Sequence, residues 1–196
     1  MFHQIPEAVR GRMRELEQMD SLERREGTAA FERLRQVPSG TGRFLAIAAA
    51  STPDGAFIEI GTSGGYSALW ISLACRALGR RLTTYEIAGP KVALATETFR
   101  KAGVDDIVTI VEGDARDYIG EQGNVSFCFL DTEKNLYEEC YEAVISNMVS
   151  GGVLVADNAI SHAGDLSPFL DRAESDERVD TMVVPVGEGV LLVRRI

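Results

Sequence analysis

Two apolar runs in this chain end in acidic residues. Asp131 closes Val125-Ser-Phe-Cys-Phe-Leu130, and Asp157, followed by Asn158, closes Gly152-Val-Leu-Val-Ala156. If these runs are neighbouring strands, two carboxylates and an amide oxygen converge at one rim. Carboxylates within about 4 to 6 Å raise each other's pKa unless positive charge lies between them. An oxygen-only set without His or Cys suits a hard cation such as Mg²⁺. The alternative is that Asp131 caps a helix and Asp157-Asn158 caps a turn. Lys134 stands three residues after Asp131. Cations are slightly unfavourable at a helix N-terminus, so this side chain either reaches solvent or serves a purpose. Beside a divalent cation its ammonium pKa would fall, as a general base requires.

A second group of residues suits a nucleoside. Glu59-Ile-Gly61-Thr-Ser63-Gly-Gly65-Tyr-Ser67 follows a short apolar run, and its glycines let backbone approach a ligand before a helix begins. A dinucleotide fingerprint would place Gly at 61, 63 and 66, but Ser63 and Tyr66 occupy two of these positions, which disfavours NAD. Glu86 ends the next apolar run, where a carboxylate can accept from both ribose hydroxyls. Gly113-Asp114-Ala115 follows the third run and puts a carboxylate where an adenine amino group could be read.

These positions need a scaffold, and the pattern supplies one. Strands are predicted at 56–60, 81–86, 107–111, 125–131, 152–157, 181–185 and 190–194. Helices are predicted at 66–77, 90–102, 135–148 and 166–173, with Pro90 opening one and Gly103 ending it. Strands alternating with helices imply a parallel sheet with helices on both faces. The last two strands are joined by Val186-Gly-Glu-Gly189 alone, so they form an antiparallel edge hairpin. Ligands of such sheets bind beyond the carboxyl ends of the strands, where all the residues above fall. The first forty residues read as helical, with Ile5, Val9, Met13, Leu16 and Met19 recurring every three or four, and a further helix covers 44–50.

Composition narrows the function. The chain has 196 residues, 45% hydrophobic and 26% charged, which suits one soluble domain. The formal net charge of −10 argues against nucleic acid, whose binding rests on neutralised phosphates. No apolar run approaches the roughly 20 residues of a membrane span. No signal peptide is legible at the N-terminus, so a cytoplasmic protein is expected. Cys75, Cys128 and Cys140 lie in apolar segments without metal spacing and read as buried thiols.

Taken together, these segments resemble one family. From about Gln36 to Arg195 the chain is similar to the cation-dependent class I S-adenosylmethionine O-methyltransferases, the group containing catechol and caffeoyl-CoA O-methyltransferases. The matching pieces are Glu59 to Ser67, Tyr85-Glu86, Gly113-Asp114-Ala115, Leu130-Asp131-Thr-Glu-Lys134 with Tyr137, Gly151-Gly152, Ala156-Asp157-Asn158 and Pro185 to Gly189. The resemblance implies a single α/β domain: a Rossmann-like, doubly wound sheet of seven strands, mostly parallel with an antiparallel edge hairpin. The core would span about 56–196. The N-terminal helices, about 1–50, would form an acceptor lid or a homodimer contact.

It also implies roles. Glu59, Gly61, Ser63, Gly65 and Ser67 would line the methionine part of S-adenosyl-L-methionine, with Val37 closing over it. Glu86 would hold the ribose, and Asp114 and Ala115 would flank the adenine. Asp131, Asp157 and Asn158 would bind the cation, with Asp131 also facing the cofactor, and Lys134 would be the general base. Tyr137 would pack beside the site. The expected acceptor is a small vicinal-diol aromatic or related hydroxylated compound. His162 would border it, as a contact or as a turn residue without a role. Thr132 departs from the family's usual residue after the metal Asp. The short 186–189 turn leaves no clear counterpart for the acceptor-binding Glu of the catechol enzymes. The alternatives are a metal-independent methyltransferase of another small acceptor and a non-catalytic S-adenosylmethionine-binding protein.

Overall fold

The computed structural model describes residues 1–29 and 32–196. A short 3₁₀ turn precedes α1 (Glu7–Glu26) and α2 (Ser39–Ala50). Alternation then begins with β1 (Ala56–Ile60), α3 (Tyr66–Leu78), β2 (Leu82–Glu86), α4 (Gly89–Ala102) and β3 (Val108–Glu112). It continues through α5 (Ile119–Gln122), β4 (Val125–Leu130), α6 (Tyr137–Asn147), β5 (Met148–Ala156) and α7 (Ser167–Glu174) to β6 (Val179–Val184) and β7 (Val190–Arg195).

The sheet order is β3-β2-β1-β4-β5-β7-β6. All pairings among β1 to β5 are parallel, and β7 runs antiparallel to both β5 and β6. Chain order reverses between β1 and β4, the switch point where such sheets open a ligand crevice. The strands alternate between two cores, as a two-residue period requires. Phe57, Phe127 and Phe129 pack with α1, α2, α3 and α4, whereas Ile58, Ile60, Cys128 and Leu130 pack with α5, α6 and α7. Every residue of β4 is buried, so the strand that carries Asp131 at its end is the most enclosed of the sheet.

The N-terminal region differs from its predicted form. The stripe of Val9, Met13 and Leu16 is buried as a helix face should be. The helix stops at Gly27, whose φ of 72° is the left-handed cap that terminates α1. Residues 32–38 then run without regular secondary structure as a strap toward the carboxyl ends of the strands. The second helix starts at Ser39, earlier than predicted: Gly40 and Gly42 are poor helix formers that hid its first turn, and Gly42 is needed there because a Cβ would strike the Trp70 indole. β5 likewise begins earlier, at Met148, and α5 was not predicted. All three cysteines are free and buried, as expected. No helix among the described residues is long and apolar enough to cross a membrane.

Candidate active site

The backbone ladder continues past the strand ends and fixes the chemistry-bearing residues in a row. Gly61 N–H donates to the Tyr85 carbonyl at 3.0 Å, Asp131 N–H to Ile60 at 2.9 Å, and Asp157 N–H to Leu130 at 3.0 Å. β4 and β5 are paired with Leu130 beside Ala156, so Asp131 and Asp157 leave the sheet as neighbours. Gly61 must be glycine: its φ is 98°, and a Cβ there would run into the Asp131 carbonyl. Asn158 has a φ of 66°, a left-handed conformation that Asn tolerates better than most residues, and it turns the chain sharply behind Asp157.

Asp157 is 3% exposed, and its Oδ1 is buried without a hydrogen-bond partner among the described residues. Burial and then the neighbouring Asp131 charge push its carboxyl up to about 7. Asp131 is also raised by burial, and Lys134 and Arg35 oppose that rise. The Lys134 ammonium sits against the pair. Its Nζ donates to Asn158 Oδ1 at 2.5 Å, to Tyr137 Oη at 3.1 Å and to the Thr132 carbonyl at 3.3 Å, and lies 3.6 Å from Asp131 Oδ1. Lys134 comes from a 3₁₀ turn that leads into α6, which brings its side chain back over Asp131. Tyr137 is fully buried, stacks edge-on with Phe169 and donates to the Asp157 carbonyl at 3.4 Å, the packing role expected of it.

One cavity of about 540 Å³ opens at this row. Of the expected residues, Val37, Gly61, Ser63, Glu86, Asp131, Lys134, Asp157, Asn158 and His162 line it. Glu86 is held by backbone amides, its Oε2 accepting from Ser63 N–H at 2.8 Å and its Oε1 from Ala88 N–H at 3.0 Å. Ser63, at a φ of 48°, donates its hydroxyl to the Leu34 carbonyl at 2.6 Å and so ties the strap to the Gly-rich turn.

Glu59, Gly65 and Ser67 lie behind the cavity wall. Glu59 is fully buried; Thr84 donates to its Oε2 at 2.5 Å, while its Oε1 has no partner among the described residues. Burial pushes its carboxyl up to about 7, against the opposing pull of the nearby Ser67 hydroxyl and the hydrogen bond from Thr84. Gly65, at a φ of 86°, is a packing glycine, since a Cβ would meet the Phe99 ring. Asp114 and Ala115 sit beyond β3, outside the cavity lining. Asp114 Oδ2 takes Arg116 Nη2 at 2.6 Å, and this fork with its hydrogen bonds lowers the carboxyl pKa.

Some lining residues were not read from the sequence. The turn joining β6 and β7 puts a carboxylate on the cavity, since Glu188 lines it. The amides of Ile160 and Ser161 donate to the Glu188 carbonyl at 3.2 and 3.0 Å and dock the turn beside Asn158. Asp20, Arg24, Arg33, Arg35 and Gln36 form another wall. Thr62 and Thr84, with hydroxyls 2.5 Å apart, complete the buried chain to Glu59. No cluster of three or more His, Cys, Asp or Glu able to hold a metal occurs among the described residues; the set at the strand ends is two carboxylates and an amide.

Comparison with known proteins agrees with this geometry. The family model described as O-methyltransferase matches residues 12–196. Caffeoyl-CoA O-methyltransferase 1 of Eucalyptus globulus is 29% identical over 163 residues, covering 71% of this chain and 66% of that protein. Caffeoyl-CoA O-methyltransferase of Populus kitakamiensis is 26% identical, covering 82% of this chain and 78% of its own. Among solved structures, the O-methyltransferase from Bacillus cereus in complex with SAH superposes with a TM-score of 0.77 at 20% identity, covering 95% of this chain and 91% of that one. The SAH-bound methyltransferase of Podospora anserina gives a TM-score of 0.80 at 20% identity, covering 98% and 89%. These neighbours share the fold, and the match of the family model over nearly the whole chain shows that the protein belongs to the O-methyltransferase family.

Proposed function

We propose that this protein transfers the methyl group of S-adenosylmethionine to a hydroxyl of a small catechol-like or related hydroxylated acceptor, held on a divalent cation. One observation carries the reading: Asp131, Lys134, Asp157 and Asn158 stand together in the same cavity as Gly61, Ser63 and Glu86. The SAH-bound neighbours support the choice of donor. The donor's methionine part would lie on Gly61 and Ser63 under Val37, with Glu59, Gly65 and Ser67 behind them. Glu86, already oriented by two amides, would take the ribose hydroxyls, and Asp114 with Ala115 would flank the adenine. When bound, the donor supplies an activated sulfonium methyl, so the protein's main contribution is to position the acceptor oxygen in line with it.

The residues at the strand ends fit a hard cation such as Mg²⁺. Their donors are all oxygens, and Asp157 keeps one buried oxygen without a partner among the described residues. Asp131, Asp157 and Asn158 would hold it, and when bound it supplies the Lewis acidity that lowers the pKa of an acceptor hydroxyl. Lys134, once it has given up its own proton and stands as the neutral amine, would take that hydroxyl proton at Nζ. Tyr137 and the Thr132 carbonyl orient the amine, and the strap keeps water from the site.

A second reading rests on the 2.5 Å contact from Lys134 to Asn158. Here the ammonium is itself the counter-charge to Asp131 and Asp157, and the enzyme methylates another small acceptor without metal. The N-terminal region, whose strap lines the cavity, serves as a lid in either case. Methyl transfer from labelled S-adenosylmethionine to a panel of vicinal diols, single phenols and carboxylic acids tests the proposal. Product from the vicinal diols alone is expected. Donor binding without product from any of them would contradict it and point to a non-catalytic binding protein.

A further inference from the structure

The polar side chains on the wall formed by the end of α1 and the strap have no part in the reaction described above. Three of its guanidiniums, those of Arg24, Arg33 and Arg35, come to one side of the cavity in a chain of net charge −10. Two are shared with carboxylates: Arg24 Nε donates to Asp20 Oδ2 at 2.8 Å, and Arg35 reaches Glu133 at 2.9 Å across the cavity mouth. Arg33 differs. Its Nε is buried and has no acceptor among the described residues. Asp20 Oδ1 and Gln36 Oε1 on the same wall are also buried without partners among the described residues. A buried polar group left unsatisfied is destabilising, so one donor and two acceptors on one wall mark a place where a ligand bearing both an acceptor and a donor completes the bonding. The cations outnumber the carboxylates there, and a guanidinium fork matches a carboxylate or phosphate.

We propose that the acceptor carries an anionic group, a carboxylate or a phosphate, which Arg33 grips with Arg24 and Arg35 in support. Its reactive hydroxyl would then face Lys134 on the opposite wall. Asp20 fixes Arg24, and the free oxygen of Gln36 accepts from a donor on the same ligand. This inference rests on the methyltransferase reading and names its acceptor class.

Calorimetric titration of the S-adenosylhomocysteine-loaded protein tests it, using neutral catechol, 3,4-dihydroxybenzoate and the phosphate monoester of 3,4-dihydroxybenzyl alcohol. The anion that fits should bind about 10- to 100-fold more tightly than catechol, the range of one or two charge-assisted hydrogen bonds. Comparing the two anions tells carboxylate from phosphate. Arg33→Gln should erase the advantage, and Arg33→Lys should restore part of it by returning the charge without the fork. Equal affinity for all three compounds, or an advantage that survives in Arg33→Gln, would overturn the proposal while leaving the methyltransferase reading intact. Failure of the wild-type protein to take up S-adenosylhomocysteine would overturn both.

Discussion

Asp157 and Glu59 are both buried carboxylates with one oxygen lacking a partner, and they differ in what they face. Asp157 opens on the cavity, so its loss should strike the reaction and spare the donor. Asp157→Ala is expected to lower methyl transfer by at least about 100-fold, the scale of losing one preorganised electrostatic group. Affinity for S-adenosylhomocysteine by calorimetry should stay within a few-fold, and equal loss of both would contradict a dedicated role at the acceptor. Glu59 is sealed beneath the Gly-rich turn, and its carboxyl is raised from 4.5 to about 7 by burial. The folded state therefore binds its proton more tightly than the unfolded chain does. Stability from this group is present below about pH 4.5 and is lost as pH rises toward about 7, up to about 3 kcal/mol in all. Denaturant titrations of the ligand-free protein between pH 5 and 8 should show wild type losing stability relative to Glu59→Gln. A pH-independent difference between the two would contradict this assignment.

At the scale of elements, the strap over the cavity is held by few bonds. Leu34 N–H donates to Glu23 Oε2 at 2.8 Å, its carbonyl accepts from Ser63, and Arg35 pairs with Glu133 where both are largely exposed. Exposed pairs contribute about 1 kcal/mol or less, so the strap should open locally without the sheet. Glu23→Ala is expected to speed amide exchange at Leu34 by roughly tenfold while amides of β1 and β4 keep their protection, since local opening is independent of global unfolding. Exchange rising equally in the strap and in β4 would show instead that the strap is part of the cooperative core. Arg35 sits at a φ of 47°, a conformation that costs a non-glycine residue about 1 kcal/mol or more. That cost is borne in a segment whose side chains line the cavity.

For the whole molecule, the strand and helix order was legible because burial on two faces imposes it. β4 reads as an apolar run broken only by Ser126; it ends just before Asp131, and its parallel neighbour β5 ends just before Asp157. Asp131, Lys134, Asp157 and Asn158 could be placed together because each follows directly from a strand end. Residues supplied by segments without a period could not. Arg33 and Gln36 lie in a strap that follows the Gly27 cap of α1, and Glu188 reaches the cavity through the antiparallel register of β7 on β5. Neither the left-handed cap nor that register has a local signal strong enough to aim a side chain. Asp114 shows the opposite case: its position beyond β3 was legible, but not its engagement by Arg116 two residues on, a guanidinium that also pairs with Glu139.

The most direct test of the proposed function is methyl transfer from labelled S-adenosylmethionine to vicinal-diol acceptors, run in parallel with Mg²⁺ and with EDTA. Product that forms with Mg²⁺ and vanishes with EDTA is the expected result. Transfer undiminished by EDTA would contradict the cation role of Asp131, Asp157 and Asn158 and leave Lys134 as their counter-charge.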